Sequence, residues 1–227
     1  MNKALFWDFD GTLVYSEHMW SKTVYQVLKD NVPDCMATYE DMRLFIKTCF
    51  TWHTPYEDYS QLTGDKWWDF LFQRFSWVYT QFAVPKPLAD ELAAMIKPEI
   101  LNIKNYRLYE DTVEVLEKSL EAGYRNYILS NNYPELEQTI AGLGLSAYFS
   151  DIIISAKVGY DKPRKEIFNL ALEAAGMPEK CLMIGDNVFA DVYGAKLAGI
   201  QSVLVHSKDE SDADFIFDDL KQIQTIL

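Results

Sequence analysis

Residues 4–13 read Ala-Leu-Phe-Trp-Asp-Phe-Asp-Gly-Thr-Leu, a short apolar run that ends in two carboxylates and a glycine. Such a run is typical of a strand buried on both faces of a parallel sheet. In open α/β sheets, ligands bind beyond the carboxyl ends of the strands. Asp8 and Asp10 therefore lie where a functional site is expected, and Gly11 leaves the surrounding backbone N–H groups accessible to a ligand.

Similar apolar runs recur along the chain and alternate with segments of helical spacing. The predicted strands lie at 4–9, 127–129, 152–154, 182–184, 203–205 and 215–217. The predicted helices between and after them lie at 109–122, 134–141, 165–175 and 218–227. This alternation predicts an α/β fold, a Rossmann-like parallel sheet between two layers of helices.

Residues 16–99 interrupt the alternation, because no short apolar strand recurs there. Helical spacing predicts four helices, at 16–29, 39–48, 65–82 and 88–96, and we expect Pro98 to end the last of them. We therefore predict two domains. An α/β core of residues 1–15 and 100–227 carries a helical cap, residues 16–99, inserted after the first strand.

Composition narrows the class of protein. The 227 residues include 21 basic and 34 acidic side chains, a net charge of −13, which disfavours nucleic-acid binding through a broad basic face. Three cysteines without paired spacing are typical of the reducing cytoplasm. No apolar run approaches the roughly 20 residues that span a bilayer, and the N-terminus does not resemble a signal peptide. We expect a cytoplasmic protein with a small-molecule ligand; its oligomeric state is undetermined.

Polar residues follow four of the predicted strands. The four sets are Asp8 with Asp10, Ser130 with Asn131, Lys162 before Pro163, and Asp186 with Asp191. The carboxyl ends of parallel strands lie at one edge of the sheet, so these sets should meet there although they are far apart in sequence.

The carboxylates of Asp8, Asp10 and Asp186 would repel one another at that edge unless a cation neutralised them. These motifs contain no histidine or cysteine, so every candidate ligand is a hard oxygen. Hard oxygen ligands at a partly open site suit Mg²⁺, which keeps several waters and binds substrate phosphate. The sequence therefore predicts a magnesium site formed by these three residues.

The same set of residues suits phosphoryl transfer. A carboxylate can attack phosphorus once a metal and a lysine, here Lys162, offset the charge on both partners. Ser130 and the backbone N–H groups near Gly11 and Asn131 could hold phosphoryl oxygens, and such positioning provides most of the catalysis. Asp10 lies close enough to give a proton to the leaving oxygen and later take one from water.

The four motifs, in this order, resemble those of the haloacid dehalogenase superfamily of phosphohydrolases. The likeness covers about residues 1–15 and 105–205, while 16–99 matches only as a helical cap. The resemblance implies that Asp8 is the nucleophile that becomes an aspartyl phosphate, and that Asp10 is the general acid and base.

The resemblance also implies a ligand set for Mg²⁺, comprising Asp8, the backbone carbonyl of Asp10, and Asp186. It implies that Ser130 and Lys162 bind the phosphoryl group. Asp191 is expected to hold Lys162 or a metal-bound water, and Thr12 to brace the loop.

An aspartate at position 10 argues for phosphoryl transfer, because relatives that cleave carbon–halogen bonds need no acid there. The leading interpretation is a Mg²⁺-dependent phosphatase acting on a small phosphomonoester. A phosphosugar mutase would use the same residues, and a binding protein could keep the fold without turnover. The sequence does not decide between water and a second hydroxyl as acceptor, since that depends on cap closure.

The cap should select the substrate, because the core handles only the phosphoryl group. Glu17 and His18 lie at the expected hinge, and Trp52 and His53 lie in a polar–aromatic loop after the second cap helix. We predict that Trp52 or His53 faces the active site. The alternative is that Trp52 packs in the aromatic core of the cap and His53 is solvated.

Overall fold

A parallel six-stranded sheet forms the centre of the computed structural model, which describes residues 2–15 and 19–227. The strands are β1 (Lys3–Trp7), β2 (Val14–Tyr15), β3 (Arg107–Leu108), β4 (Arg125–Ser130), β5 (Phe149–Ile154), β6 (Lys180–Gly185), β7 (Gln201–Val205) and β8 (Phe215–Phe217). The order in the large sheet is β5-β4-β1-β6-β7-β8, with every neighbouring pair parallel. The predicted α/β fold is confirmed, and β1 lies inside the sheet, flanked by β4 and β6.

The described residues form nine helices, α1 (Met19–Asn31), α2 (Tyr39–Ile46), α3 (Asp65–Thr80), α4 (Lys86–Ile100), α5 (Thr112–Glu121), α6 (Leu136–Gly142), α7 (Ser155–Val158), α8 (Lys165–Ala174) and α9 (Gly194–Leu197). Helices α5, α6, α8 and α9 cover the two faces of the sheet. Successive side chains of a strand point to opposite faces. In β1, Ala4 and Phe6 accordingly pack in a cluster with α8 and α9, whereas Leu5 and Trp7 pack in the cluster that contains α5 and α6. The sheet therefore lies between two layers of helices.

The first four helices form one packed group, residues 19–100, which we call the helical insert. Two short strands, β2 and β3, carry the chain out of the core and back, pairing antiparallel through Val14 with Leu108 and Tyr15 with Arg107. Helix α3 is apolar on several sides and buries seven of its residues, as its composition predicts. The division into two domains at residues 16 and 100 stays a prediction.

Glu135, between β4 and α6, ties the insert to the core. Its carboxylate accepts a hydrogen bond from Trp68 Nε1 at 2.8 Å and lies 2.7 Å from Lys97 Nζ. Both partners belong to the insert, and all three side chains are at least partly buried. This contact fixes α3 and α4 beside the carboxyl end of the sheet, next to the predicted site.

The expectation that Pro98 ends a helix is wrong, because α4 continues to Ile100. Proline removes one N–H and leaves the carbonyl of Ala94 without its helical partner. Ala94 and Pro98 are both exposed, so water can bind that carbonyl. Ile96 and Ile100 are fully buried on the opposite side, and their packing holds the last turn.

The chain terminus also differs from its predicted helix at 218–227. It forms a 3₁₀ helix, Leu220–Thr225, that begins with a capping box between Asp219 and Gln222. Leu220 and Ile223 are its buried residues, and their spacing of three suits the three-residue turn of a 3₁₀ helix. Among the residues that the structure describes, no helix has the length and apolar character needed to cross a membrane.

Candidate active site

The loop after β1 is a tight turn that projects two carboxylates. Asp8 continues the sheet by donating its N–H to Ile184 O at 2.8 Å, and Leu13 N donates back to Phe9 O at 2.9 Å. Gly11 has φ +82°, a left-handed conformation that side chains disfavour. A Cβ at Gly11 would lie 2.3 Å from Asp186 Oδ2, so the turn and the carboxylate of Asp186 can approach only because this residue is glycine.

Lys162 is buried between two of the aspartates. Its Nζ lies 2.9 Å from Asp8 Oδ1 and 2.6 Å from Asp191 Oδ1, and the side chain is 1% exposed. Burial alone would lower the pKa of Lys162, but Asp191 and Asp8 raise it above its ordinary value, so the ammonium stays charged.

Asn131 holds the backbone of Lys162 through a reciprocal pair of hydrogen bonds. Lys162 N donates to Asn131 Oδ1 at 2.7 Å, and Asn131 Nδ2 donates to Lys162 O at 3.0 Å. The side-chain amide of Asn131 is thus engaged in positioning the lysine, whereas the predicted contact with substrate was through its backbone N–H. Its assignment as a substrate-binding residue stays a prediction that would depend on its backbone N–H.

Asp186 and Asp191 follow β6 at the same edge of the sheet. Asp191 lies in a π-helical segment, Val188–Tyr193, and its Oδ2 accepts a hydrogen bond from Asn187 N at 3.0 Å. Thr12, fully buried in the β1 loop, has its Oγ1 3.5 Å from Asp186 Oδ1. A Cβ at Gly185 would lie 2.1 Å from Asp191 Oδ2, so this strand end too is packed closely against a carboxylate.

Three of these carboxylates form a cluster whose chemistry fits a hard divalent ion. Asp8, Asp186 and Asp191 each offer an oxygen, and the three oxygens lie within 4.8 Å of one another. Burial, together with the charges of Asp8 and Asp191, raises the pKa of Asp186 to about 8. The cluster therefore carries more negative charge than Lys162 alone can offset, and Asp8 and Asp186 could hold a metal.

Asp10 stands apart from that cluster and is held by Asn132. Its Oδ2 accepts a hydrogen bond from Asn132 Nδ2 at 2.7 Å, while its Oδ1 is buried without a partner among the described residues. Burial and the charge of Asp8 raise the pKa of Asp10 to about 7, against a smaller lowering by Asn132. A carboxyl group with a pKa near neutrality can give and take a proton, as a general acid and base must.

Asn132 is a site residue that the sequence analysis missed. It is 1% exposed, and its Nδ2 also lies 3.3 Å from Oγ of the buried Ser130. Its backbone N–H donates to Ser155 Oγ at 3.1 Å, which fixes it from the neighbouring strand end. The only signal in the sequence was its place two residues after Ser130, in a run of three polar residues.

The carboxylates open into a cavity of about 870 Å³ between the core and the helical insert. Trp52 and His53 line this cavity together with Asp8 and Asp10. Trp52 also stacks on Phe50, with ring centroids 4.3 Å apart and planes 6° from parallel. The two interpretations of Trp52 are thus compatible geometrically, and its contact with substrate stays a prediction. Glu17 and His18 lie outside the described residues.

The metal-free protein should be more stable in mild acid than in mild alkali. Asp10 and Asp186 have raised pKa values of about 7 and about 8, so the native state holds protons that the unfolded chain has released. The stabilisation that these two carboxyl groups contribute is complete at pH values below their pKa in the unfolded chain. It is lost as the pH rises through their pKa values in the folded protein. With about 1.4 kcal/mol per proton and pH unit, we expect an unfolding free energy roughly 2–4 kcal/mol greater at about pH 6 than at about pH 8.

Denaturant unfolding in EDTA measures this difference directly, with Asp186→Asn as the comparison. The variant has no titrating carboxyl at that position, so its pH dependence should be weaker than that of the unaltered chain. An unfolding free energy that rises between the two pH values would contradict the raised pKa values.

The edge of the sheet thus brings carboxylates, a buried lysine and an acid with a pKa near neutrality together beside a cavity, an arrangement that suits a hydrolase. Comparison with known proteins agrees with that class. The family model of haloacid dehalogenase-like hydrolases matches residues 2–199, so the chain belongs to that family. The resemblance drawn from the four motifs is confirmed.

The curated relatives include phosphatases. The chain is 35% identical over 127 residues to phosphoserine phosphatase of Thermus thermophilus, a match that covers 53% of this chain and 51% of that protein. It is 30% identical over 160 residues to glyceraldehyde 3-phosphate phosphatase of Methanothermobacter thermautotrophicus, covering 65% of this chain and 70% of that protein. The first match thus spans only about half of its relative's length.

Solved structures agree on the fold. The HAD-hydrolase YfnB of Bacillus subtilis, crystallised with magnesium, superposes with a TM-score of 0.75 over 100% of this chain and 98% of that one. The two sequences are 20% identical, so this likeness concerns the fold alone.

Proposed function

We propose that this protein is a Mg²⁺-dependent phosphatase that hydrolyses a small-molecule phosphomonoester through an aspartyl phosphate on Asp8. The observation that carries the proposal is the position of Asp8, with Oδ1 2.9 Å from the buried Nζ of Lys162. Asp10, two residues further on, has a pKa of about 7. The proposed nucleophile, a buried positive charge and the proposed proton donor therefore line one cavity.

In the first step an oxygen of Asp8 forms a bond to phosphorus, and the bond from phosphorus to the ester oxygen breaks. Protonated Asp10 gives its proton to that leaving oxygen, which departs as an alcohol. In the second step water attacks the phosphorus of the aspartyl phosphate, and Asp10, now ionised, takes a proton from the water. The products are inorganic phosphate and the original carboxylate of Asp8.

Lys162 stabilises the negative charge that develops on the phosphoryl oxygens. Its ammonium is held by Asp191, and its backbone is held by the two hydrogen bonds to the side chain of Asn131. Binding of a phosphoryl oxygen by Ser130 stays a prediction; this buried residue has its Oγ 3.3 Å from Asn132 Nδ2. Asp8, the backbone carbonyl of Asp10, and Asp186 are the proposed ligands of Mg²⁺. When bound, the ion supplies positive charge that offsets repulsion between the carboxylates and the phosphoryl group.

Removal of the metal tests the proposal. We expect purified protein to release inorganic phosphate from a panel of small phosphomonoesters with Mg²⁺, and to lose at least about a hundredfold of that rate in EDTA. Addition of excess Mg²⁺ should restore the rate, and a circular dichroism spectrum in EDTA controls for unfolding. Undiminished release in EDTA would overturn the metal dependence, and transfer of phosphate to an added sugar phosphate in place of water would indicate a mutase.

A further inference from the structure

We propose that Arg43 and Lys47 bind a second anionic group of the substrate, so that the natural ester carries a carboxylate or a second phosphate at the end remote from the scissile bond. The inference rests on the proposed phosphatase function and deepens it. The motivating observation is that both cations line the same cavity as Asp8 and Asp10, although they belong to the helical insert.

The spacing of α2 explains why these side chains reach the cavity. Arg43 and Ile46 lie on α2, and Lys47 is its C-cap with helical backbone angles, so their spacing of three and four residues places them on one face. Phe50 follows in the loop after the helix. All four line the cavity. One wall of the cavity is therefore formed by this face of α2 and the loop after it, which present two cations beside two apolar side chains.

The charges around the cavity leave these two cations available. Lys162 is paired with both Asp8 and Asp191. Arg43 contacts Glu40 at 3.4 Å, but this glutamate is largely exposed, and surface pairs of that kind contribute little. Lys47 is exposed, and no salt bridge to it occurs among the described residues.

A purely structural explanation covers only part of this arrangement. Cations near a helix C-terminus interact favourably with the helix dipole, which accounts for basic residues at the end of α2. That effect does not depend on which face carries them, and like charges four residues apart repel each other. An anion held between Arg43 and Lys47 would remove this repulsion, and a guanidinium is well suited to bind a carboxylate or a phosphate.

The interior of the cavity has room for the body of such a substrate. Its volume of about 870 Å³ is within the range of small-molecule sites. Aromatic side chains also line the cavity, including Trp20 and the stacked pair of Phe50 and Trp52. Apolar walls between two charged ends favour a short carbon chain with an anion at each end.

Two homologous series of esters test the inference. The first comprises ω-phosphonooxy-alkanoates of two to five carbons and the matching α,ω-alkanediol bisphosphates, which separate carboxylate from phosphate as the second anion. The second comprises n-alkyl phosphates of equal length, which have no second charge. We expect the unaltered protein to favour one anionic series, with the advantage in KM.

The double variant Arg43→Gln/Lys47→Gln should lower the ratio of kcat/KM for that anionic series to kcat/KM for alkyl phosphates by about 10–100-fold, mainly by raising KM. Lys66→Gln removes a cation of the insert that does not line the cavity, and it should leave the ratio unchanged.

Three outcomes overturn the inference. They are equal kcat/KM for charged and uncharged esters in the unaltered protein, an unchanged ratio in the double variant, or an equal loss in Lys66→Gln. If the alkyl phosphates are still hydrolysed in those cases, the phosphatase function stands and only the anion site is lost. If no ester of any series releases phosphate, the proposed function fails as well.

Discussion

Asp8→Asn should lower phosphate release by about four to six orders of magnitude, the largest effect we expect from any single substitution. An amide oxygen is a poor nucleophile, so neither the bond to phosphorus nor the aspartyl phosphate would form. The size and shape of the side chain are retained, and Lys162 keeps its 2.6 Å contact with Asp191. The loss should therefore appear in kcat and be common to all substrates.

Asp111→Asn is the matched control for this experiment. Asp111 is also buried in the core, where it accepts a hydrogen bond from Lys221 N at 3.0 Å, but it does not line the cavity. We expect its kcat to stay close to that of the unaltered protein. Mass spectrometry of acid-quenched enzyme should detect a phosphorylated peptide containing residue 8 in the control and none in Asp8→Asn. Activity that persists undiminished in Asp8→Asn would remove Asp8 from the mechanism.

The location of the site could be predicted because it depends on topology. Asp8 is more than a hundred residues from both Lys162 and Asp186 in the sequence, yet each of the three follows the carboxyl end of a parallel strand. Parallel pairing brings those ends to one edge of the sheet, and this does not depend on the length or conformation of the segments that connect the strands. The apolar runs in β1, β4 and β6, alternating with helical segments, were sufficient to predict a parallel sheet and therefore the shared edge.

The different contacts of the two adjacent asparagines, Asn131 and Asn132, could not be predicted in the same way. Asn131 and Asn132 are identical in type and adjacent, but one binds the backbone of Lys162 and the other binds Asp10. Successive residues after a strand point in different directions, and the loop geometry that decides which contact each makes depends on the neighbouring strand ends. Sequence alone therefore identified the polar segment without assigning its contacts.

Arg43 and Lys47 illustrate a further limit. Their helix was predicted correctly, since α2 spans Tyr39–Ile46 within the expected range 39–48. Which of its faces turns toward the core depends on packing between α1, α3 and the rest of the insert, and periodicity does not contain that information. The cavity wall could be identified only after the insert had been placed over the sheet.

Asp10→Asn should produce a loss that depends on the leaving group. The variant cannot donate a proton, so cleavage of alkyl phosphates, whose alkoxide is a poor leaving group, should slow by about 10²–10⁴-fold. p-Nitrophenyl phosphate has a leaving group that needs no proton, so its first step should be much less affected. The second step still lacks the base that would take a proton from water, so the aspartyl phosphate should accumulate.

Rapid-mixing kinetics distinguish these steps. With p-nitrophenyl phosphate we expect Asp10→Asn to release a burst of nitrophenol equal to the enzyme concentration, followed by slow turnover, while alkyl phosphates give no burst. The asparagine keeps an oxygen to accept the 2.7 Å hydrogen bond that Asn132 Nδ2 now donates to Asp10, so the loop should be preserved. Because the pKa of Asp10 is about 7, the unaltered enzyme should have both protonation states available near neutral pH. An equal loss for both classes of ester, without a burst, would show that Asp10 positions the site and does not transfer the proton.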